Sequence, residues 1–266
     1  MKLLSTLFKR YFRKNNKIRF YSLISAVQTL YPITSSKDLK REWVSTEKED
    51  FKIRQSKCPV SKLSNVFSIN KCPAVHSIMS NGFIMYAPAD FKVHTNGDDD
   101  TILFSNTKIM PYADYVTTHN EEVAQWLMRN PSQYIFPKVV KVNTPWRVTA
   151  DSDIVFIQIP VTFSSENRFT AVIGILDPMM SHEMNVQLFW HVKEGDALIK
   201  AGTPLCQYIP VSRSLLHSLD YVVDDITQKD IKMEDEYLYL RSTMFPETAD
   251  FQTRVSRMMK IIKKYS

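Results

Sequence analysis

From Lys138 to Val211 the chain breaks into seven short apolar runs rich in β-branched and aromatic residues: 138–142, 146–149, 154–159, 169–176, 185–192, 197–200 and 205–211. Pro, Gly, Asp and Ser separate them at intervals of about 8 to 12 residues, a spacing that predicts a sandwich or barrel rather than alternating strands and helices. Upstream, Phe83-Ile84-Met85-Tyr86 and Phe91-Lys92-Val93-His94-Thr95 read as strands, and the latter reaches 101–104 through Asn96-Gly97-Asp98-Asp99-Asp100. Asn-Gly between alternating runs predicts a hairpin. Residues 17–23, with Ile18 and Phe20 on one side, form a further expected strand.

Helical periodicity is confined to three places. Leu3, Leu4, Leu7, Phe8, Tyr11 and Phe12 give residues 1–17 a short amphipathic stripe. Thr118 followed by Glu121 has the form of a capping box, with Val123, Trp126 and Leu127 behind it, and predicts a helix over 118–129 that ends at Asn130-Pro131. Phe251, Val255, Met258, Met259 and Ile262 form the stripe of a C-terminal helix. Residues 36–43 read as a short helix or turn, and 45–71 as a polar surface connection. The expected fold is therefore mainly β: a β-sandwich or β-clip, jelly-roll-like core with a short inserted helix and helical terminal extensions. The expected divisions are a basic N-terminal arm with the first strand (1–45), a polar connection (46–79), the β core (80–211) and a C-terminal helical extension (212–266).

Composition supports a substantial core, since 44% of the 266 residues are hydrophobic and 12% aromatic. No apolar run approaches the roughly 18 residues that a membrane helix needs. Cys58, Cys72 and Cys206 are odd in number and lack a CxxC, which argues against a disulfide framework and a four-cysteine zinc site. A reducing compartment, the cytoplasm, is expected.

The net charge of +6 is unevenly placed. The first 37 residues hold eight Lys or Arg and no acid, and 251–266 hold five and no acid, leaving 21 basic against 28 acidic residues between them. An acidic body with basic ends points to arms that touch a protein partner, a phosphate-bearing surface or the body itself. The candidate contact residues are Lys9, Arg10, Arg13 and Lys14 at one end and Lys260, Lys263 and Lys264 at the other. For the N-terminal stripe a packed arm, a membrane-surface anchor and an organelle-targeting sequence all remain open.

Five glycines, none within three residues of another, exclude Rossmann and P-loop phosphate cradles, and no GxSxG elbow is present. Among the six histidines only His119-Asn120-Glu121 has HxE spacing, and it falls in the first turn of the expected helix rather than on a strand face, so no metal ligands are assigned, although His182-Glu183 and His191 keep a metal-dependent jelly-roll oxygenase as a third reading. The aspartates at 98–100 lack the spaced oxygens and distal Glu of a calcium loop and read as a solvated turn.

The series Trp146-Arg147, Gly174-Ile175-Leu176-Asp177, Gln187-Leu188-Phe189-Trp190 and Ala201-Gly202-Thr203-Pro204-Leu205-Cys206-Gln207 resembles an uncharacterised family of phage and bacterial proteins. That resemblance covers most of the chain and implies no activity; if the chain is phage-encoded, its place is the host cytoplasm. More distantly, the segment is similar to two motifs of the dUTPase and dCTP-deaminase superfamily, a β-rich fold of trimers. That similarity implies Asp177 as the general base, Gln207 and Gln187 as nucleotide contacts, magnesium as the only cofactor and a trimeric homo-oligomer. The chain departs from the superfamily pattern in lacking a Ser-Gly segment before the acid and in having no glycine after Ser212. The leading expectation is a non-enzymatic interaction or assembly protein, with a dUTPase-like nucleotide enzyme as the alternative.

Overall fold

Period-two alternation becomes strand where the chain carries it. This computed structural model describes residues 18–57, 69, 72–109, 113–120, 122, 136–217, 221–243 and 251–265. In chain order its strands are β1 (Ile18–Ser22), β2 (Thr34–Ser35), β3 (Phe83–Tyr86), β4 (Phe91–Asn96), β5 (Ile102–Asn106), β6 (Val116–Thr118) and β7 (Val139–Val142). They continue with β8 (Trp146–Ala150), β9 (Ile154–Ile159), β10 (Phe169–Ala171), β11 (Gly174–Leu176), β12 (Val186–Trp190), β13 (Glu194–Ile199) and β14 (Pro204–Ser212). Two compact units result, one of residues 1–41 and 78–218 and one of 42–77 and 219–266. All of these strands lie in the first unit, and the protein is mainly β.

The strands form antiparallel sheets in the orders β11-β9-β14-β3-β2, β10-β12-β7-β6, β13-β4-β5 and β1-β8. The nine-residue β14 is the spine of the first sheet, pairing β9 on one side and β3 on the other, with a register shift between Pro204 and Cys206. The arrangement is a sandwich-like core and not a closed barrel. Inner faces interdigitate through Phe91, Tyr115, Phe136, Phe156, Leu188, Trp190 and Tyr208, all essentially inaccessible to water. Each such side chain stabilises the fold by roughly 1.5 to 3 kcal/mol relative to exposure. Aromatic edges and faces set the packing: Phe91 meets Tyr115 edge-on at 5.7 Å, and Phe169 stacks on Trp190 at 6.3 Å.

One apolar run contributes to two sheets. Phe169 to Leu176 divides into β10, which pairs β12, and β11, which pairs β9. The peptide of Val172 joins the layers, its N–H donating to Gln187 O at 2.8 Å and its C=O accepting from Gln158 Nε2 at 2.7 Å. Gln158 Oε1 in turn accepts the buried Tyr208 hydroxyl at 2.7 Å. Burial raises the phenol of Tyr208 and the thiol of Cys206 well above their ordinary values, so both stay neutral.

The hairpin expected at Asn96-Gly97 joins β4 to β5. Gly97 takes φ +84°, and Asp98 accepts Asp100 N–H, Thr101 N–H and Thr101 Oγ1–H with its own carboxylate. Those hydrogen bonds hold Asp98 far below the usual carboxylate range, as a turn-former's would be. The helix expected over 118–129 falls largely outside the described residues; Thr118 itself ends β6, and Asn120 Oδ1 accepts Glu122 N–H at 2.8 Å. The basic arm of residues 1–17, with Lys9, Arg10, Arg13 and Lys14, also lies outside them.

The second unit is helical. Helix Glu42–Lys57 occupies much of the segment expected to be an irregular connection. Its charges run all round the axis with no apolar stripe, so periodicity could not announce it. Helix Gln228–Thr243 begins in a reciprocal cap in which Thr227 Oγ1 donates to Asp230 Oδ2 at 2.6 Å and accepts Asp230 N–H at 3.3 Å. It pairs with helix Phe251–Tyr265 through Glu236, which accepts from Lys264 Nζ and, at 2.5 Å, from Tyr265 Oη. Among the described side chains of the C-terminal helix Ile261 is buried, whereas Met259 and Ile262 of the expected stripe are nearly half exposed; Phe251, Val255 and Met258 of that stripe lie outside the described side chains.

Candidate functional site

Asp177 follows edge strand β11, and the Asp-Pro step turns the chain there. Its main-chain O accepts Met180 N–H and Ser181 N–H, each at 2.9 Å, and its Oδ1 accepts Met179 N–H at 2.9 Å. Both carboxylate oxygens also receive the Arg213 guanidinium, Nη2 on Oδ1 at 2.5 Å and Nη1 on Oδ2. Arg213 is fixed on its other side by Nε donating to Ser152 O at 3.0 Å and by its own N–H donating to Asp153 O at 2.6 Å. Asp177 drives the guanidinium further above its ordinary value. A general base needs a lone pair aimed at water and enough basicity to take its proton. A bidentate arginine reduces both. In this geometry Asp177 fastens the turn after β11 to the end of β14.

Gln207 lies in the middle of β14 and is fully buried. Its Nε2 donates to Ile78 O at 2.8 Å and Asn81 O at 2.7 Å, carbonyls at and just beyond the last turn of helix Pro73–Ser80. Its Oε1 accepts Thr162 Oγ1–H at 2.9 Å and Thr162 N–H at 3.4 Å. The same threonine is gripped by Arg41, whose Nε donates to Thr162 O at 2.8 Å and whose Nη1 reaches Ser36 O and Leu39 O at 3.4 Å. Burial lowers Arg41 from its ordinary value, though a guanidinium remains charged. Both Gln207 termini are therefore spent on the fold, and the Thr162 node joins segments more than a hundred residues apart.

The residues expected to share a site do not converge. Leu176 pairs Phe156 while Gln207 pairs Ile159, which sets Asp177 and Gln207 about 13 Å apart along β9 at the usual strand rise. Gln187 stands on β12 opposite Lys141, in a different sheet. Two hollows of about 220 and 230 Å³ open on the β unit, the first between Val161, Phe163, Glu166, Thr170 and Leu205, the second between Ile18, Asp153 and Val211. Neither is lined by Asp177, Gln207 or Gln187. At the rim of the first, Phe163 holds φ +54°, a strained setting for an aromatic residue, beside the anchored Thr162.

The histidines are dispersed. His182 accepts Val148 N–H through its main-chain O, and His191 Nε2 lies 2.7 Å from Thr170 Oγ1. Glu183 takes Arg147 Nη2 and Asn185 Nδ2 at 3.1 and 3.2 Å. Among the described residues no three His, Cys, Asp or Glu side chains are grouped to hold a metal ion. One polar pairing had no signal in the sequence: His94 Nδ1 lies 2.8 Å from Asp196 Oδ1, and Lys92 Nζ donates to Asp196 Oδ2 at 3.1 Å. The β4 to β13 register brings them together on an exposed sheet face, and residues about a hundred positions apart carry no spacing motif.

The basic C-terminal positions separate into two kinds. Lys260 and Lys263 are exposed, whereas Lys264 is engaged by Glu236. Among the described residues no helix is long and apolar enough to cross a membrane. An outward apolar stretch of the β unit follows β10: Ile173 is 69%, Ile175 62%, Met179 65% and Met180 86% exposed. No family model matches the sequence, and no curated protein matches it either.

Proposed function

We propose that the chain is a non-enzymatic interaction or assembly protein, its β core serving as a scaffold and its basic ends, including Lys260 and Lys263, reaching a protein partner or a phosphate-bearing surface. The observation that carries this reading is how the polar groups are spent. Asp177 is committed to Arg213 and its own turn, and Gln207 to Thr162, Ile78 and Asn81, while neighbouring isoleucines and methionines face water. A catalytic site concentrates unsatisfied or competing polar groups in a cleft. An interaction surface exposes apolar area beside satisfied polar groups. A thermal-shift panel of deoxynucleoside triphosphates with magnesium tests the reading. It expects no stabilisation, and a saturable rise in Tm that Asp177→Asn removes would replace it with the nucleotide-enzyme reading.

A further inference from the structure

We infer that the free edge of β11 is a self-association surface at which a second copy of this chain pairs antiparallel about Ile175, joining two five-stranded sheets into one. The inference deepens the assembly reading by naming the partner. β11 ends its sheet and has β9 as its single strand neighbour, so among the described residues its outer side has no partner strand. Gly174, Ile175 and Leu176 include neither a charge nor a proline, the devices that usually keep an edge from pairing. At the opposite end of the same sheet β2 is only two residues long, and in the three-stranded sheet the edge strand β13 carries Glu194 and Asp196 outward.

The surroundings suit a copy of the same surface. A two-fold contact sets each group against its own counterpart, so any net charge at its centre would repel itself. Here the acid that directly follows β11, Asp177, is neutralised by Arg213 within the chain. The apolar row does not stop at the edge, because Ile175 is in register with Ile157 on β9 and Ile157 with Ile209 on β14, both only half-buried. Ile173, Met179 and Met180 flank the row, and methionine adapts readily to an apposed surface. Pairing about Ile175 covers an edge that would otherwise template indiscriminate strand addition.

The test is the mass of the full chain in solution by light scattering, for wild type, Ile175→Lys and Ile175→Cys. Wild type is expected to be a dimer. Ile175→Lys places two ammonium groups at the two-fold centre and is expected to raise the dissociation constant by at least about tenfold with far-UV circular dichroism unchanged. Directly opposed residues of an antiparallel pair lie about 4.5 to 5.5 Å apart at Cα, within disulfide reach. Ile175→Cys treated with diamide is therefore expected to give a covalent dimer that wild type does not. A monomeric wild type, a dimer indifferent to Ile175→Lys, or a dimer in which Ile175→Cys fails to cross-link would each overturn the pairing. A monomer that leaves nucleotides untouched would remove this inference and spare the non-enzymatic reading; a nucleotide-hydrolysing dimer would do the reverse.

Discussion

Gln207 separates a structural from a ligand-binding account most sharply. Gln207→Leu keeps the volume and apolar stem of the side chain but deletes an acceptor for the Thr162 hydroxyl and two donors to the carbonyls of Ile78 and Asn81. Leaving a buried polar group without its partner costs about 1 to 3 kcal/mol, and the partly buried setting of these three argues for the lower half of that range. The sum is about 3 to 6 kcal/mol, a large share of the roughly 5 to 15 kcal/mol that holds a domain folded. For a unit of this size, each kcal/mol lowers Tm by about 2 to 4 °C, so the expected loss is roughly 6 to 24 °C. Thermal and urea unfolding followed by circular dichroism measure it. Thr162→Val in the Gln207→Leu background should add less than it costs alone, since the two side chains share a bond. A Tm within about 2 °C of wild type, or strict additivity in the double variant, would refute the reasoning.

Three further outcomes follow from the same geometry. Gly82 holds φ +83° with its would-be Cβ 2.2 Å from Tyr208 O, so Gly82→Ala combines left-handed strain with a backbone clash. The expected destabilisation is about 2 to 5 kcal/mol by urea unfolding, and a near-neutral result would contradict the close approach. Burial pushes the Glu166 carboxyl up, but hydrogen bonds from Arg168 outweigh it and hold the group below its ordinary 4.5. Ionised Glu166 thus stabilises the fold at neutral pH, and that contribution fades as pH falls from the ordinary value through the lower folded one. The Tm gap between wild type and Glu166→Gln should therefore narrow between about pH 6 and pH 3, and a gap that widens would reverse the sign. Lys260→Glu with Lys263→Glu should weaken sedimentation with anionic phospholipid vesicles at low salt, with the difference from wild type shrinking as salt is added, if the C-terminal helix is a phosphate-surface contact.

Much of the β core was legible because alternation survives in it. Phe91, Val93 and Thr95 face inward and Lys92 and His94 outward, as the letters predict. The division of 169–176 between two sheets was not legible, since no glycine or proline marks Val172, and the crossing is fixed by Gln158 and Gln187 from elsewhere. Helix Glu42–Lys57 was hidden for the opposite reason, its sequence being polar all round. At the candidate site, Asp177-Pro178 could be read as a turn, but Arg213 lies 36 residues away and becomes its partner only through the β9 and β14 register. Gln207 was identifiable as a residue of interest and not by role, because its acceptors at Ile78 and Asn81 are more than 120 positions upstream. Polar side chains in a strand announce chemistry and clamp alike, and the partners alone distinguish them.

The account's central claim is that this β core holds its conspicuous polar residues for structure. Turnover of deoxynucleoside triphosphates with magnesium by wild type and Asp177→Asn tests it most directly. The account predicts no turnover by either protein, with Asp177→Asn lowering Tm because the Arg213 pair loses its charge partner. Turnover by wild type that Asp177→Asn abolishes at unchanged Tm would contradict it.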